Sequence, residues 1–74
     1  MLTCHKAVSL NGFIDVKDAE NNNVTVMVTY GTKTENDEIS INENILNQQL
    51  YKLHKEEVDE EFSEFIELVR ELEV

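Results

Sequence analysis

The sequence predicts an α+β domain: a three-stranded antiparallel meander over about residues 6–17, 24–32 and 38–41, then two helices over about 43–54 and 57–73, the second packing on one sheet face. Three observations predict it. Two stretches alternate apolar and polar residues with period two, the mark of a half-buried strand. A run of Asp and Asn separates them, and those residues tolerate left-handed backbone and bond their own main chain. In the last third of the chain, Val58, Phe62, Phe65, Val69 and Leu72 recur at intervals of four, three, four and three, one face of an α-helix.

The bulk numbers bound what such a domain can do. With 74 residues there is room for one small acidic domain, 1–74, and one core. Sixteen acidic residues against six basic ones give a net charge of −10, so nucleic acid and anionic membranes are approached against repulsion and basic partners are favoured. Residues 1–37 carry three lysines against five acids, whereas residues 38–74 carry three bases against eleven acids. The acidity belongs to the helical half. Cys4 is the only cysteine, which excludes an intramolecular disulfide and makes the cytoplasm the expected compartment. No apolar run approaches the ~18 residues of a membrane span.

In chain order, Val8, Leu10, Ile14 and Val16 take even positions between Ser9, Asn11, Asp15 and Lys17, with Phe13 the exception on the wet face. Val24, Val26, Val28 and Tyr30 alternate with Thr25, Met27 and Thr29, and their β-branched content suits a strand. Matching the apolar faces across a hairpin with loop Ala19–Asn23 sets Val16 by Val26, Ile14 by Val28 and Gly12 by Tyr30, which lays an aromatic ring over a strand glycine. Met27 then shares the outer face with Phe13. Gly31–Asp37 reads as a polar connection, and Ile39 and Ile41 as a short third strand.

Two starts compete for the first helix. Ser40 with Glu43 makes a capping box; Asn42 as N-cap makes a hydrophobic staple of Ile41 and Leu46 and leaves both isoleucines in the sheet, so Asn42 is preferred. The helix then turns Leu46, Gln49, Leu50 and Leu53 inward. Carried straight on, that stripe would bury Glu57, Glu60, Glu61 and Glu64 without partners, at a prohibitive desolvation cost. A break is therefore expected between His54 and Val58, with the second helix packing through Phe62, Phe65, Ile66 and Val69.

Residues with intrinsic chemistry are few. Cys4, His5 and His54 do not make a zinc or thiol-nucleophile constellation, and Cys4 and His5 point apart on an extended chain. Asp18, Glu20 and Asn22 have the alternate oxygens that open a calcium loop, but Asn23 stands where the turn needs glycine and Thr29 where a bidentate Glu belongs. No catalytic motif, metal set or cofactor motif is found, and a non-enzymatic protein is expected.

What remains is the acidic arc. At ~100° per residue, Glu56, Glu57, Glu60, Glu61, Glu64, Glu67 and Glu71 share roughly 140° of the second helix with Leu68 and with no basic residue. A solvated face is the commonest meaning of such a charge run. Against that, the like-charge pairs at four-residue spacing cost roughly 0.2–0.5 kcal/mol each, and a mixed Lys/Glu face would have been stabilising. Over the ~22 Å from Glu56 to Glu71 the carboxylates fall about every 3 Å, close to the ~3.4 Å between phosphates of one DNA strand. These residues are therefore the candidate contact for the basic surface of a partner such as a nuclease or DNA-binding protein. In size and charge the chain looks like the small acidic decoys that phages and mobile elements use against restriction, CRISPR or transcription machinery, a likeness of type and not of motif. The alternative is a structural or adaptor protein that homo-oligomerises or docks its helix in a partner groove, with the acid only solubilising.

Overall fold

The computed structural model describes residues 1–74 and has the expected architecture. Strands β1 (Ala7–Lys17), β2 (Asn23–Thr34) and β3 (Ile39–Ile45) form one antiparallel sheet in the order β1-β2-β3. Helices α1 (Gln48–Leu53) and α2 (Lys55–Arg70) follow, and α2 contacts all three strands. The far side of the sheet bears no second layer. Only nine of 74 residues are buried, and the chain measures 57 × 20 × 16 Å with a radius of gyration of 15.2 Å. A compact chain of this length would have a radius near 11 Å.

β1 behaves as its alternation dictates, with Ile14 and Val16 buried and Phe13 71% exposed on the other face. The turn that follows is built by Asp18, whose Oδ1 accepts from the backbone N–H groups of Glu20 (2.9 Å) and Asn22 (2.8 Å) while Asn21 takes a φ of 64°. That carboxylate is spent on closing its own loop.

The register departs from the simple alternation. Val16 pairs with Val24 and Ile14 with Met27, and the ladder shifts between Ile14 and Asp15, leaving Val26 as the extra residue of a bulge. Val26 and Met27 are consecutive and both buried, at 0% and 1% exposure. Beyond the bulge the inward set is Met27, Thr29 and Gly31, while Val28 pairs with Phe13 and Tyr30 with Asn11 on the outer face. The expected pairs Val16–Val26, Ile14–Val28 and Gly12–Tyr30 are thus corrected, and Met27 is core rather than surface. A one-residue bulge inverts every side chain after it.

The reason for the bulge lies in α2. Gly12 and Gly31 both face the helix, and a Cβ on Gly12 would stand 2.6 Å from Thr29 Oγ1 and 2.8 Å from Phe65 Cδ2, one on Gly31 2.5 Å from Val69 Cγ2. An inward Tyr30 would have held α2 off the sheet. With glycine there, Phe65 and Val69, four residues apart on one helix face, come down onto backbone. The aromatic cover over Gly12 exists, but the ring is Phe65 and not Tyr30.

The third strand is longer than expected. Asn42, Glu43, Asn44 and Ile45 pair with Tyr30, Thr29, Val28 and Met27, so Asn42 does not cap a helix and Ile41 and Leu46 form no staple. Ile39, Ile41 and Ile45 keep one parity, and sheet pairing also uses the backbone groups that a cap would satisfy only in part. The N-cap is Asn47, whose Oδ1 accepts from Leu50 N–H at 3.0 Å. The later start rotates the inward side of α1 to Leu50 and Tyr51, which pack on the core of Ile14, Val16, Val26, Met27 and Val58. Leu46 (54%) and Leu53 (77%) are exposed, and Gln49 is exposed as well. The chain breaks at His54, which ends α1 and precedes α2 with a φ of −116° and ψ of 27°.

Candidate functional site

α2 begins two residues earlier than the spacing suggested and ends three earlier, but its faces fall where the periodicity puts them. Val58, Phe65 and Val69 are buried and Phe62 and Ile66 half-buried, which fixes the rotation of the helix. Glu56, Glu57, Glu60, Glu61, Glu64, Glu67 and Glu71 are all exposed, as is Leu68 at 54%. Glu60, Glu64, Glu67 and Glu71 rim one shallow depression with Ser63 and Leu68, so an apolar side chain sits among carboxylates.

Counter-charges are few and mostly directed elsewhere. Arg70, just outside the arc, donates from Nη1 to Glu67 at 2.9 Å, and His54 Nδ1 lies 3.5 Å from Glu57. Lys55 turns to Asp59, and Lys33 reaches the Arg70 carbonyl and Asp37. No lysine comes to the arc from elsewhere in the fold. An exposed pair such as Glu67–Arg70 offsets little of the repulsion, since surface ion pairs contribute ~0–1 kcal/mol.

Glu61 registers that repulsion. Slight desolvation, then the charges of Glu57, Glu64, Asp15 and Glu60, push its carboxyl above the ordinary 4.5. Asp15 belongs to β1 and joins the acidic field only through the fold, so a helical wheel could not have found it.

A second polar cluster couples α1 to α2. Asp59 Oδ1 accepts from the Tyr51 hydroxyl at 2.7 Å and Oδ2 from Lys55 Nζ at 2.8 Å. Hydrogen bonds from Lys55 and Tyr51 hold Asp59 below its usual range, and the bond to Asp59 raises both Tyr51 and Lys55. The Lys55–Asp59 spacing of four was visible in sequence; Tyr51 was not, because it lies across the His54 break. The cluster is a clamp between helices.

Cys4 is exposed and His5 Nδ1 lies 2.9 Å from Glu35 Oε1, far along the chain from His54. No three His, Cys, Asp or Glu side chains converge as a metal site. No helix is long and apolar enough to cross a membrane. No family model matches the chain, and no curated protein or solved structure is significantly similar to it.

Proposed function

We propose that the protein is a non-enzymatic, cytoplasmic protein-binding module that presents the acidic face of α2 to the basic, nucleic-acid-binding surface of a partner, as a DNA-mimic inhibitor does. The observation that carries this reading is the one-signed face itself: six glutamates of α2 and Glu71 at its C-cap exposed along one side, with Arg70 the one Lys or Arg side chain bonded to any of them. Their spacing of about 3 Å along the axis is close to that of phosphates on one strand, so a groove lined with Lys and Arg meets charges at an interval it already accommodates. Long-range attraction would speed encounter, and occupation would exclude nucleic acid by competition. The mechanism needs no cofactor. It suits an anti-defence protein of a phage or mobile element, or a transcription-factor decoy.

Leu68 adds the apolar contact that an electrostatic interface otherwise lacks. Half exposed within the carboxylate rim, it has the position of an interface anchor ringed by polar groups.

The test is capture from lysate on the immobilised chain at about 50 and about 500 mM salt, analysed by mass spectrometry, with Glu60→Gln, Glu64→Gln and Glu67→Gln combined as the comparison. Basic nucleic-acid-binding proteins should be retained at low salt, displaced by duplex DNA, and held at least tenfold more weakly at high salt. The triple variant should lose them while folding at least as stably, and Leu68→Ala should weaken capture with little change in melting temperature. Capture indifferent to both salt and the triple variant would return the face to a solubilising role.

A further inference from the structure

The two edges of the sheet are unlike. β1 and β3 each pair with β2 alone, so each leaves a row of backbone N–H and C=O groups facing water. Edges are ordinarily blunted by charge, by proline or by shortness. β3 has seven residues and carries Glu43 among them. β1 has eleven, and from Ala7 to Ile14 it holds neither a charge nor a proline. Outside its ladder with β2, the main chain of that stretch makes no hydrogen bond.

α2 lies over the sheet with two unlike flanks. At ~100° per residue, Glu57, Glu61, Glu64 and Leu68 fall on one side of the buried line Val58–Phe65–Val69, and Lys55, Asp59, Ile66 and Arg70 on the other. Both cations of the helix belong to the second flank, which faces α1 through the bond from Tyr51 to Asp59. The first flank faces β1. Phe65 lies against Gly12 of that strand, and Asp15 of the same strand is among the charges that press on Glu61.

We infer that the free edge of β1 takes an extended segment of the basic partner as a fourth strand, with Lys or Arg at alternate positions turned toward Glu57, Glu61 and Glu64. This rests on the acidic-face reading above and names the part of the partner that meets it. An added strand lies ~4.8 Å beyond β1, beneath that flank of α2, and every second side chain points at the helix. The ~16 Å from Glu57 to Leu68 is the length of about five extended residues, so two or three side chains of the segment face the flank. Charge selects the occupant. A second copy would bring its own Val8, Leu10 and Ile14 beneath the glutamates and set its acidic flank against the first. A basic helix would meet the carboxylates but leave the β1 main chain unbonded. The Lys- and Arg-rich arms of nucleic-acid-binding proteins are unfolded when free and can add as a strand.

Blocked peptides titrated into the nitrogen-15-labelled full chain at about 50 mM salt separate strand pairing from charge alone. The probes are Lys-Thr-Lys-Thr-Lys-Thr-Lys, its isomer Lys-Lys-Lys-Lys-Thr-Thr-Thr, and the alternating peptide N-methylated either at its lysines or at its threonines. The alternating peptide should bind more tightly than the isomer, slow amide exchange within Ala7–Ile14 and leave β3 unchanged. One methylated form should bind about fivefold or more weakly and the other as before, since only alternate backbone groups of a strand face its neighbour. Glu57→Gln, Glu61→Gln and Glu64→Gln combined should weaken binding by about tenfold or more. Equal, salt-dependent binding of both isomers with no slowing in β1 would overturn this inference and leave the acidic face standing, and slowing at β3 in place of β1 would do the same. Failure of the lysate capture described above would instead remove the acidic face itself.

Discussion

The two outward faces of this molecule differ: α2 and its C-cap turn out seven glutamates, whereas the far side of the sheet turns out mainly uncharged residues, Phe13, Tyr30 and three asparagines among them, with Glu43 and Asp15 beside them. A chain whose core holds only nine buried residues has thereby sorted its surface into a side governed by long-range charge and a side governed by short-range contact. The lesson is that net charge alone says little about how such a protein associates. The same −10 opposes any approach of a second copy through α2, whereas the far face of the sheet, with fewer charges, is approached at a lower electrostatic cost. Salt should therefore act differently on the two, loosening contacts made by α2 and sparing any made by the far face of the sheet.

The strongest way to break the comparison is to part the two layers. Gly31→Ala puts a methyl 2.5 Å from Val69 Cγ2 and 3.1 Å from Ile41 Cδ1, and Gly12→Ala puts one 2.6 Å from Thr29 Oγ1 and 2.8 Å from Phe65 Cδ2. Replacing a strand glycine by alanine would otherwise gain up to about 1 kcal/mol from the unfolded chain. Here overpacking prevails, because Val69 is fully buried and β-branched and has no second rotamer to retreat to. Each substitution should cost about 1–3 kcal/mol by urea unfolding, Gly31→Ala the more. A stabilised Gly31→Ala would mean that α2 does not sit as close to the sheet as described.

These glycines also mark where sequence reasoning succeeded and where it could not. α2 has one period from end to end, so Val58, Phe65 and Val69 name the buried side and the seven glutamates follow as the exposed one. β2 changes phase at Val26. Period two applied across it puts Val28 and Tyr30 inside and Met27 outside, and no local signal distinguishes that choice from the real one, because Val24, Val26, Met27 and Val28 are all good strand residues. The deciding fact is the space Val69 needs over Gly31, a contact between residues 38 positions apart. The outer face was invisible for the same reason. At Asn42 two rules competed, and the capping signature lost to strand pairing because Ile45 completes the inward set of β3. Within the acidic site, Arg70 beside Glu67 was legible as a spacing of three, whereas Asp15 beside Glu61 required the fold.

A smaller effect sharpens the inner side. Thr29 is 5% exposed and its Oγ1 has no hydrogen-bond partner beneath Phe65. A buried hydroxyl without a partner costs about 1–3 kcal/mol of desolvation that a methyl of similar shape avoids. Thr29→Val should raise stability by about 1 kcal/mol in urea titration and leave both outer faces unchanged. A loss of stability would show that the hydroxyl is bonded in solution.

The smallest effect distinguishes the acidic face from the clamp beside it, by pH. Glu61 is held above its ordinary 4.5 by slight desolvation and by Glu57, Glu64, Asp15 and Glu60, so the folded chain takes up that proton before the unfolded chain does. Lowering the pH through its raised value toward 4.5 therefore adds stability. Asp59 is held below 3.8 by hydrogen bonds from Lys55 and Tyr51, and its contribution, complete above 3.8, is lost as the pH falls through its depressed value. The urea midpoint should rise on acidification toward 4.5 and turn down below 3.8. Glu61→Gln should flatten the rise and keep the fall, and Asp59→Asn should keep the rise and soften the fall. A midpoint that declines steadily from neutral pH in the wild type would mean that the carboxylates of α2 are not crowded enough to repel, and the one-signed face would lose the energetic cost that makes its retention informative.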